Sequence, residues 1–204
     1  MKNQKINYDT LMLEEISKIS GSKKPTLLLH SCCAPCSTYV INELQNFFKL
    51  TIFYYNPNIE PTEEYEKRKN EQLRLIEEIG DINFIDCDYD NNSFLESIKG
   101  FENYPEGKER CTKCIYLRIN ATAIKAIDEG FNYFGTTLTV SPHKNSIIIN
   151  EIGELIAKKY NIKYLYSDFK KRDGYKKSIE LSKKYNLYRQ DYCGCLFAKE
   201  KKEY

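Results

Sequence analysis

The chain has 204 residues, 41% hydrophobic and 29% charged, with a formal net charge of +2. That length suits one α/β domain with a core of its own, and no apolar run approaches the roughly 18 residues of a membrane-spanning helix. The near-neutral balance neither demands nor excludes an RNA partner, because clustering of charge on one face decides that question.

Residues 8–20 carry Leu11, Leu13, Ile16 and Ile19 at helical spacing, so a leading helix is expected there, ended by Gly21. The stretch from Met1 to Ser20 interleaves charge with its apolar residues and has no signal-peptide core, so a cytoplasmic protein is expected. After Pro25, the apolar run Thr26–His30 fits a buried strand. A tight loop, Ser31–Cys36, and a helix, Ser37–Phe48, follow. A second strand is expected over Leu50–Tyr55, a long polar helix from Pro61 to Ile79 with Gly80 as its stop, and a third strand over Ile82–Asp86. A short helix near Ser93–Lys99 precedes a Gly/Pro-bearing loop, and Cys111 opens a helix that ends near Gly130. The remaining expectations are a strand over Tyr133–Thr137, a helix over His143–Tyr160, a strand over Lys163–Tyr166, a helix over Lys176–Tyr185 and a terminal turn at Cys193-Gly194-Cys195.

Strands alternating with helices predict a parallel, doubly wound sheet with helices on both faces. Ligands bind such sheets at the carboxyl ends of the strands, and the loop after the first strand is the favoured place. One domain is expected, with residues 1–24 a leading helical segment and 25–204 the catalytic core.

The eight cysteines are the unusual feature. A chain of this size with no export signal does not need a disulfide framework, so clustered thiols point to metal or redox chemistry. Seven of the eight fall into three compact groups: Cys32, Cys33 and Cys36; Cys111 and Cys114; Cys193 and Cys195. Thiolates ligate zinc and iron–sulfur clusters, and a helix N-terminus favours the thiolate. A structural zinc site uses four ligands and normally clamps a domain too small to hold itself, so seven thiols fit better with a 4Fe–4S cluster plus a second metal, or a cluster plus redox-active thiols. Cys87 stands alone after the third strand and is read as a small strand-end residue without metal.

Six motifs in order then carry a resemblance. They are His30-Ser31-Cys32-Cys33-Ala34-Pro35-Cys36; Asn56-Pro57-Asn58-Ile59 with Glu64, Tyr65 and Arg68; Arg110-Cys111-Thr112-Lys113-Cys114 with Leu117 and Arg118; Thr136-Thr137-Leu138 with Ser141-Pro142-His143-Lys144; Asp168-Phe169-Lys170-Lys171 with Gly174 and Tyr175; and Tyr188-Arg189-Gln190-Asp191-Tyr192-Cys193-Gly194-Cys195. Over nearly its whole length the chain resembles the epoxyqueuosine reductases of the QueH type. The resemblance implies a Rossmann-like sheet of the adenine nucleotide α-hydrolase kind. It implies reduction of epoxyqueuosine to queuosine at position 34 of tRNA, without cobalamin. It further implies a 4Fe–4S cluster beside an additional iron, with zinc a possible substitute, held among Cys32, Cys33, Cys36, Cys111, Cys114, Cys193 and Cys195. Which sulfur binds which metal stays open at this level.

The expected partners are a tRNA carrying epoxyqueuosine and an external electron donor, with no membrane, and the protein is expected to be a monomer. His30, Asn56, Asp168 and Arg189 are the candidate catalytic side chains, His30 and His143 being the candidate proton carriers. Arg68, Arg118 and Arg189 are candidates for phosphates or the modified base, and Tyr54, Tyr65, Tyr175, Tyr188 and Tyr192 for stacking on an unstacked base. A rival reading is a tRNA sulfur-transfer enzyme on a related fold, but the loop after the first strand lacks the glycines of a phosphate cradle. The other is a non-catalytic zinc- or iron-binding protein.

Overall fold

The computed structural model describes residues 6–19 and 23–199. In chain order the elements are α1 (Tyr8–Ser17), β1 (Thr26–His30), α2 (Ala34–Leu44), β2 (Lys49–Phe53), α3 (Thr62–Ile79), β3 (Asn83–Ile85), α4 (Asn91–Ser97), α5 (Glu109–Asp128), β4 (Tyr133–Thr136), a 3-10 turn at Thr137–Val140, α6 (Ser146–Tyr160), β5 (Lys163–Tyr164), α7 (Gly174–Lys184) and α8 (Leu196–Lys199). The strands form one all-parallel sheet in the order β3-β2-β1-β4-β5. This is the Rossmann-like α/β architecture expected.

Alternation along the central strands builds two cores. Leu27 and Leu29 of β1 pack with Leu50 and Ile52 of β2 against Met12 and Ile16 of α1, Tyr39, Val40 and Leu44 of α2, and Ile76 of α3. Leu28, Phe53 and Phe134 point to the opposite face, against Ile115, Ile119 and Ala123 of α5 and Ile149, Ile152 and Ile156 of α6. Strands covered on both faces read as apolar runs, which is why β1 is legible residue for residue.

The chain leaves β1 for β2 and β3 on one side, then returns to place β4 on the other. The reversal lies between β1 and β4, so their carboxyl ends open a crevice at the switch point. The structure differs from expectation at several boundaries. α2 starts at Ala34, so Cys33 is its N-cap and Cys36 lies in its first turn rather than in a loop. Pro35 is the reason, since its fixed φ suits a first helical turn. α6 starts after Asn145, whose side chain accepts from the Ile147 amide, 2.9 Å, leaving His143 and Lys144 in the preceding turn. After β4, Thr136 Oγ1 accepts from the Leu138 amide, 3.2 Å, and turns the chain into the unanticipated 3-10 segment. α8, also unanticipated, follows the Cys193-Gly194-Cys195 turn. Ser20 and Gly21, the expected end of the leading helix, lie outside the described residues. Among the described residues no helix is long and apolar enough to cross a membrane.

Candidate metal centre

The first sulfur group is local. Cys32, Cys33 and Cys36 follow β1, and their sulfurs lie within 4.8 Å of one another, Cys32 and Cys33 only 3.8 Å apart. Ligands about 2.3 Å from one tetrahedral ion sit roughly 3.8 Å apart, so this trio has the spacing of a single-ion site. Of the three thiols, Cys32 is the one whose ionisation is favoured. Hydrogen bonds from Cys33 and Cys36 hold Cys32 well below the usual thiol range. The same bonds, with the charge they leave on Cys32, push Cys33 up to about 12 and Cys36 well above the usual value. Gln190 Nε2 donates to Cys33 Sγ, 2.8 Å.

His30 and Asn56 hold this loop from beneath. His30 is fully buried, with Nε2 3.1 Å from the Tyr55 carbonyl and Nδ1 3.0 Å from Thr136 Oγ1. A carbonyl only accepts, so Nε2 carries the proton and Nδ1 accepts from the threonine hydroxyl. Burial, with the Arg118 charge, pushes the imidazole down to about 3. Asn56 Nδ2 donates to the Ser31 carbonyl, 2.8 Å. Both residues tie the ends of β1, β2 and β4 together across the switch point.

The second group is assembled from distant segments. Cys111 and Cys114 lie one turn apart at the start of α5, and Cys193 and Cys195 come from the C-terminal turn. All four line one cavity of about 40 Å³, together with Asn58, Arg110 and Arg118. The tail reaches them because it is clamped. Arg68, buried and paired with Glu64 at 2.6 Å, donates through Nη1 to the Cys193 carbonyl, 3.2 Å, and through Nη2 to the Tyr192 carbonyl, 3.4 Å. The Glu60 amide donates to the Gly194 carbonyl, 2.8 Å, and the Tyr192 hydroxyl donates to the Glu60 carbonyl, 2.6 Å. Gly194 has φ +124°, and a Cβ there would stand 2.9 Å from Ile59 Cγ1 and 3.2 Å from Arg68 Nη1, so only glycine fits.

A second cavity, about 400 Å³, opens beside the first and shares with it Glu106, Arg118, His143, Lys144 and Cys193. Cys32, Cys36, Tyr175, Arg189, Gln190 and Asp191 contribute to its walls. The two sulfur groups therefore flank a common partition, and the larger space is of nucleoside size while the smaller is not. At the partition Lys144 Nζ donates to Cys193 Sγ, 3.1 Å. Burial pushes the Cys193 thiol up, but Lys144 and Arg118 outweigh it and the net shift is downward. Burial pushes Cys114 up, and Cys195 to about 12.

Of the four expected catalytic side chains, only Arg189 lines the larger cavity, where its Nη1 also donates to Ser182 Oγ, 2.9 Å. Asp168 lines neither cavity and forms an ion pair with Lys170, 3.0 Å. Arg68 and Arg118 are buried but both reach the wall of the larger cavity, Arg68 with its guanidinium already engaged by Glu64 and the tail carbonyls, and Tyr54 and Tyr65 pack against each other in a small core, leaving Tyr175 and Tyr192 at the cleft. Cys87 is apart from both groups, its thiol donating to the Tyr54 carbonyl, 3.0 Å, and burial pushes it up to about 12. Sequence reasoning gives no role to Lys144, Gln190, Asn58 or Arg110. Each lies within or beside the motifs that carry the resemblance, and that proximity is the only signal.

The donor set fits metal: three sulfurs within a single-ion span, and four more facing one cavity with cations beside them. The family model described as epoxyqueuosine reductase QueH matches residues 27–201. The chain is 43% identical to the epoxyqueuosine reductase QueH of Streptococcus pyogenes serotype M1, over 96% of this chain and 79% of that protein. It is 43% identical to the protein of the same name from Staphylococcus epidermidis, over 97% of this chain and 87% of that one, and 36% identical to that from Thermotoga maritima, over 85% and 90%.

Proposed function

The chain belongs to the epoxyqueuosine reductase QueH family, and from that membership we propose that it reduces the epoxide of epoxyqueuosine to the alkene of queuosine, at position 34 of tRNA. The overall change takes up two electrons and two protons and releases the oxygen as water, both carbon–oxygen bonds being broken. The observation that carries the metal-dependent reading is the meeting of two cysteine sets at one partition beside a nucleoside-sized cleft.

Cys111, Cys114, Cys193 and Cys195 would hold a 4Fe–4S cluster, and Cys32, Cys33 and Cys36 an additional iron, for which zinc could substitute. When bound, such a pair supplies electrons one at a time and a Lewis-acidic centre for the epoxide oxygen. Everything else is the work of this chain's side chains. Lys144 and Arg118 lower the Cys193 thiol against the effect of its burial and so favour the ligating thiolate. Gln190 orients Cys33. His30, neutral and held by two partners, is a positioning residue for the cysteine loop, as is Asn56. His143 and Glu106 line both cavities and can carry a proton, so we assign proton delivery to them, with Arg189 and Asp191 contacting the modified nucleoside.

The tRNA is the substrate implied by the family, and its charge finds a counterpart in one segment. Residues 170–189 hold eight Lys or Arg against two Asp or Glu, a local +6 in a chain whose total is +2. Lys171, Lys176, Lys177, Lys183, Lys184 and Arg189 are exposed, and Tyr175, Ser178 and Arg189 of this segment line the cleft. We assign this face to the phosphates beside the anticodon loop.

The test is anaerobic reconstitution with iron and sulfide, then reaction with epoxyqueuosine-bearing tRNA and dithionite, read by mass spectrometry of the nucleosides. Loss of one oxygen, absent in the Cys111→Ala/Cys114→Ala variant, is expected. An iron-loaded protein that leaves the nucleoside intact contradicts the assignment of substrate.

A further inference from the structure

The wall of the larger cavity contains an aromatic ring that the rest of the molecule leaves unused. Among the described tyrosines only Tyr104 and Tyr175 are exposed. Tyr104 lies against Phe101, with ring centres 5.4 Å apart, and lines neither cavity of the site. Tyr175 is 37% exposed and lines the larger one. Among the described residues its ring meets no other aromatic ring and no cation, and its hydroxyl has no hydrogen-bond partner.

The neighbouring tyrosines are committed. Tyr192, in the same wall, donates its hydroxyl to the Glu60 carbonyl, 2.6 Å, and the Arg68 guanidinium lies 4.9 Å from its ring centre. Tyr188 lines neither cavity; its hydroxyl donates to Glu64 Oε1, 3.1 Å, and the Lys67 ammonium covers one face of its ring at 3.6 Å. The backbone under Tyr175 is fixed as well. Gly174 opens α7 where a Cβ would collide with the Phe169 carbonyl oxygen and the Tyr39 ring. One turn on, Ser178 Oγ donates to the Tyr175 carbonyl, 2.7 Å, and lines the same cavity. The next two residues, Lys176 and Lys177, are exposed and belong to the basic face.

A single exposed aromatic ring is ordinary on a protein surface. This one stands where a basic face meets a nucleoside-sized cavity, on a backbone that cannot shift, with no protein group on its ring. A flat apolar face beside cations is what an unstacked base of single-stranded RNA requires: the ring covers the base while the lysines hold the flanking phosphates. We propose that Tyr175 is the stacking platform for the heterocyclic base of the epoxyqueuosine nucleotide, holding that base out of the anticodon stack and in the larger cavity. The inference rests on the reading of that cavity as the nucleoside site. Tyr175 acts in binding, and no bond is made or broken at its ring.

The chain has no tryptophan, so Tyr175→Trp gives the full-length reconstituted protein a single one at the proposed contact. Its emission is followed as an anticodon stem-loop carrying epoxyqueuosine at position 34 is added, and again with a stem-loop of the same sequence that is abasic at position 34 and so keeps the phosphates without the base. Quenching by the first and not by the second is expected. Tyr175→Leu is expected to raise the Kd of the epoxyqueuosine stem-loop by about tenfold, leaving that of the abasic stem-loop and the iron content unchanged, with Tyr175→Phe close to wild type. Wild-type affinity of Tyr175→Leu for both stem-loops overturns the proposal. An equal loss for both overturns it too, because it marks a disturbed α7 rather than lost stacking, as does quenching by the abasic stem-loop, which puts a neighbouring base on the ring. A wild-type chain that binds neither stem-loop removes the tRNA reading itself, and is seen before any variant is compared.

Discussion

The two cysteine groups face the same partition but are built in opposite ways. Cys32, Cys33 and Cys36 lie within one strand-to-helix connection, and the backbone that places them is fixed by β1, by the first turn of α2 and by His30 and Asn56 beneath. Cys111 and Cys114 instead wait for Cys193 and Cys195, which arrive from the far end of the chain and stay only because Arg68, Glu60 and the Ile59 region hold the turn. A local site is as stable as its connection. A non-local site is as stable as its clamp, so the two should fail separately.

The largest separation is expected from Arg68→Ala. It leaves the half-buried Glu64 with only the Tyr188 hydroxyl as a partner and frees the Cys193 turn, a loss of about 1–3 kcal/mol in chemical denaturation. Iron and sulfide bound by the α5 and tail cysteines should fall while the Cys32 group retains its metal. Gly194→Ala attacks the same clamp from the other side. Its Cβ meets Ile59 and Arg68, and its φ disfavours any side chain; a cost of about 1–3 kcal/mol and partial loss of sulfide content are expected, read by the same two assays.

Gln190→Leu should do the converse. It removes the amide that donates to Cys33, so metal affinity of the Cys32 group is expected to drop by about tenfold in a chelator competition, with sulfide content unchanged. The mildest effect belongs to the basic segment. Changing Lys176, Lys177, Lys183 and Lys184 to Gln should leave both metal contents alone. The salt dependence of tRNA binding should become shallower by about one unit of log–log slope for each phosphate that is no longer neutralised. An unchanged slope would assign those lysines to solvent.

What is legible in the sequence follows the same division. β1 matches its expectation from Thr26 to His30 because an apolar run between Pro25 and a polar loop has one reading. The Cys32 group is legible as a group because its members are neighbours. The start of α2 is not, since Pro35 has the look of a loop residue when it opens the helix. The convergence of Cys193 and Cys195 on α5 and the short α8 behind them depend on interactions across the whole chain, which no local pattern encodes. Positions after strands point Asn56 and Asp168 to the ligand edge, and a strand end makes His30 a candidate proton carrier. Strand-end position places the backbone there, but His30 turns inward to Thr136 and Asp168 turns to Lys170.

Two centres with separate ligands, drawn from seven cysteines, can be tested directly. The measurement is iron and acid-labile sulfide per chain, with Mössbauer spectra, in the reconstituted wild type, in Cys111→Ala/Cys114→Ala and in Cys32→Ala/Cys33→Ala/Cys36→Ala. The wild type should hold about five irons and four sulfides. The first variant should keep one iron and no sulfide, and the second should keep the sulfide and lose only the single iron. Loss of all iron and sulfide from both variants would contradict the division and make the seven thiols one indivisible site.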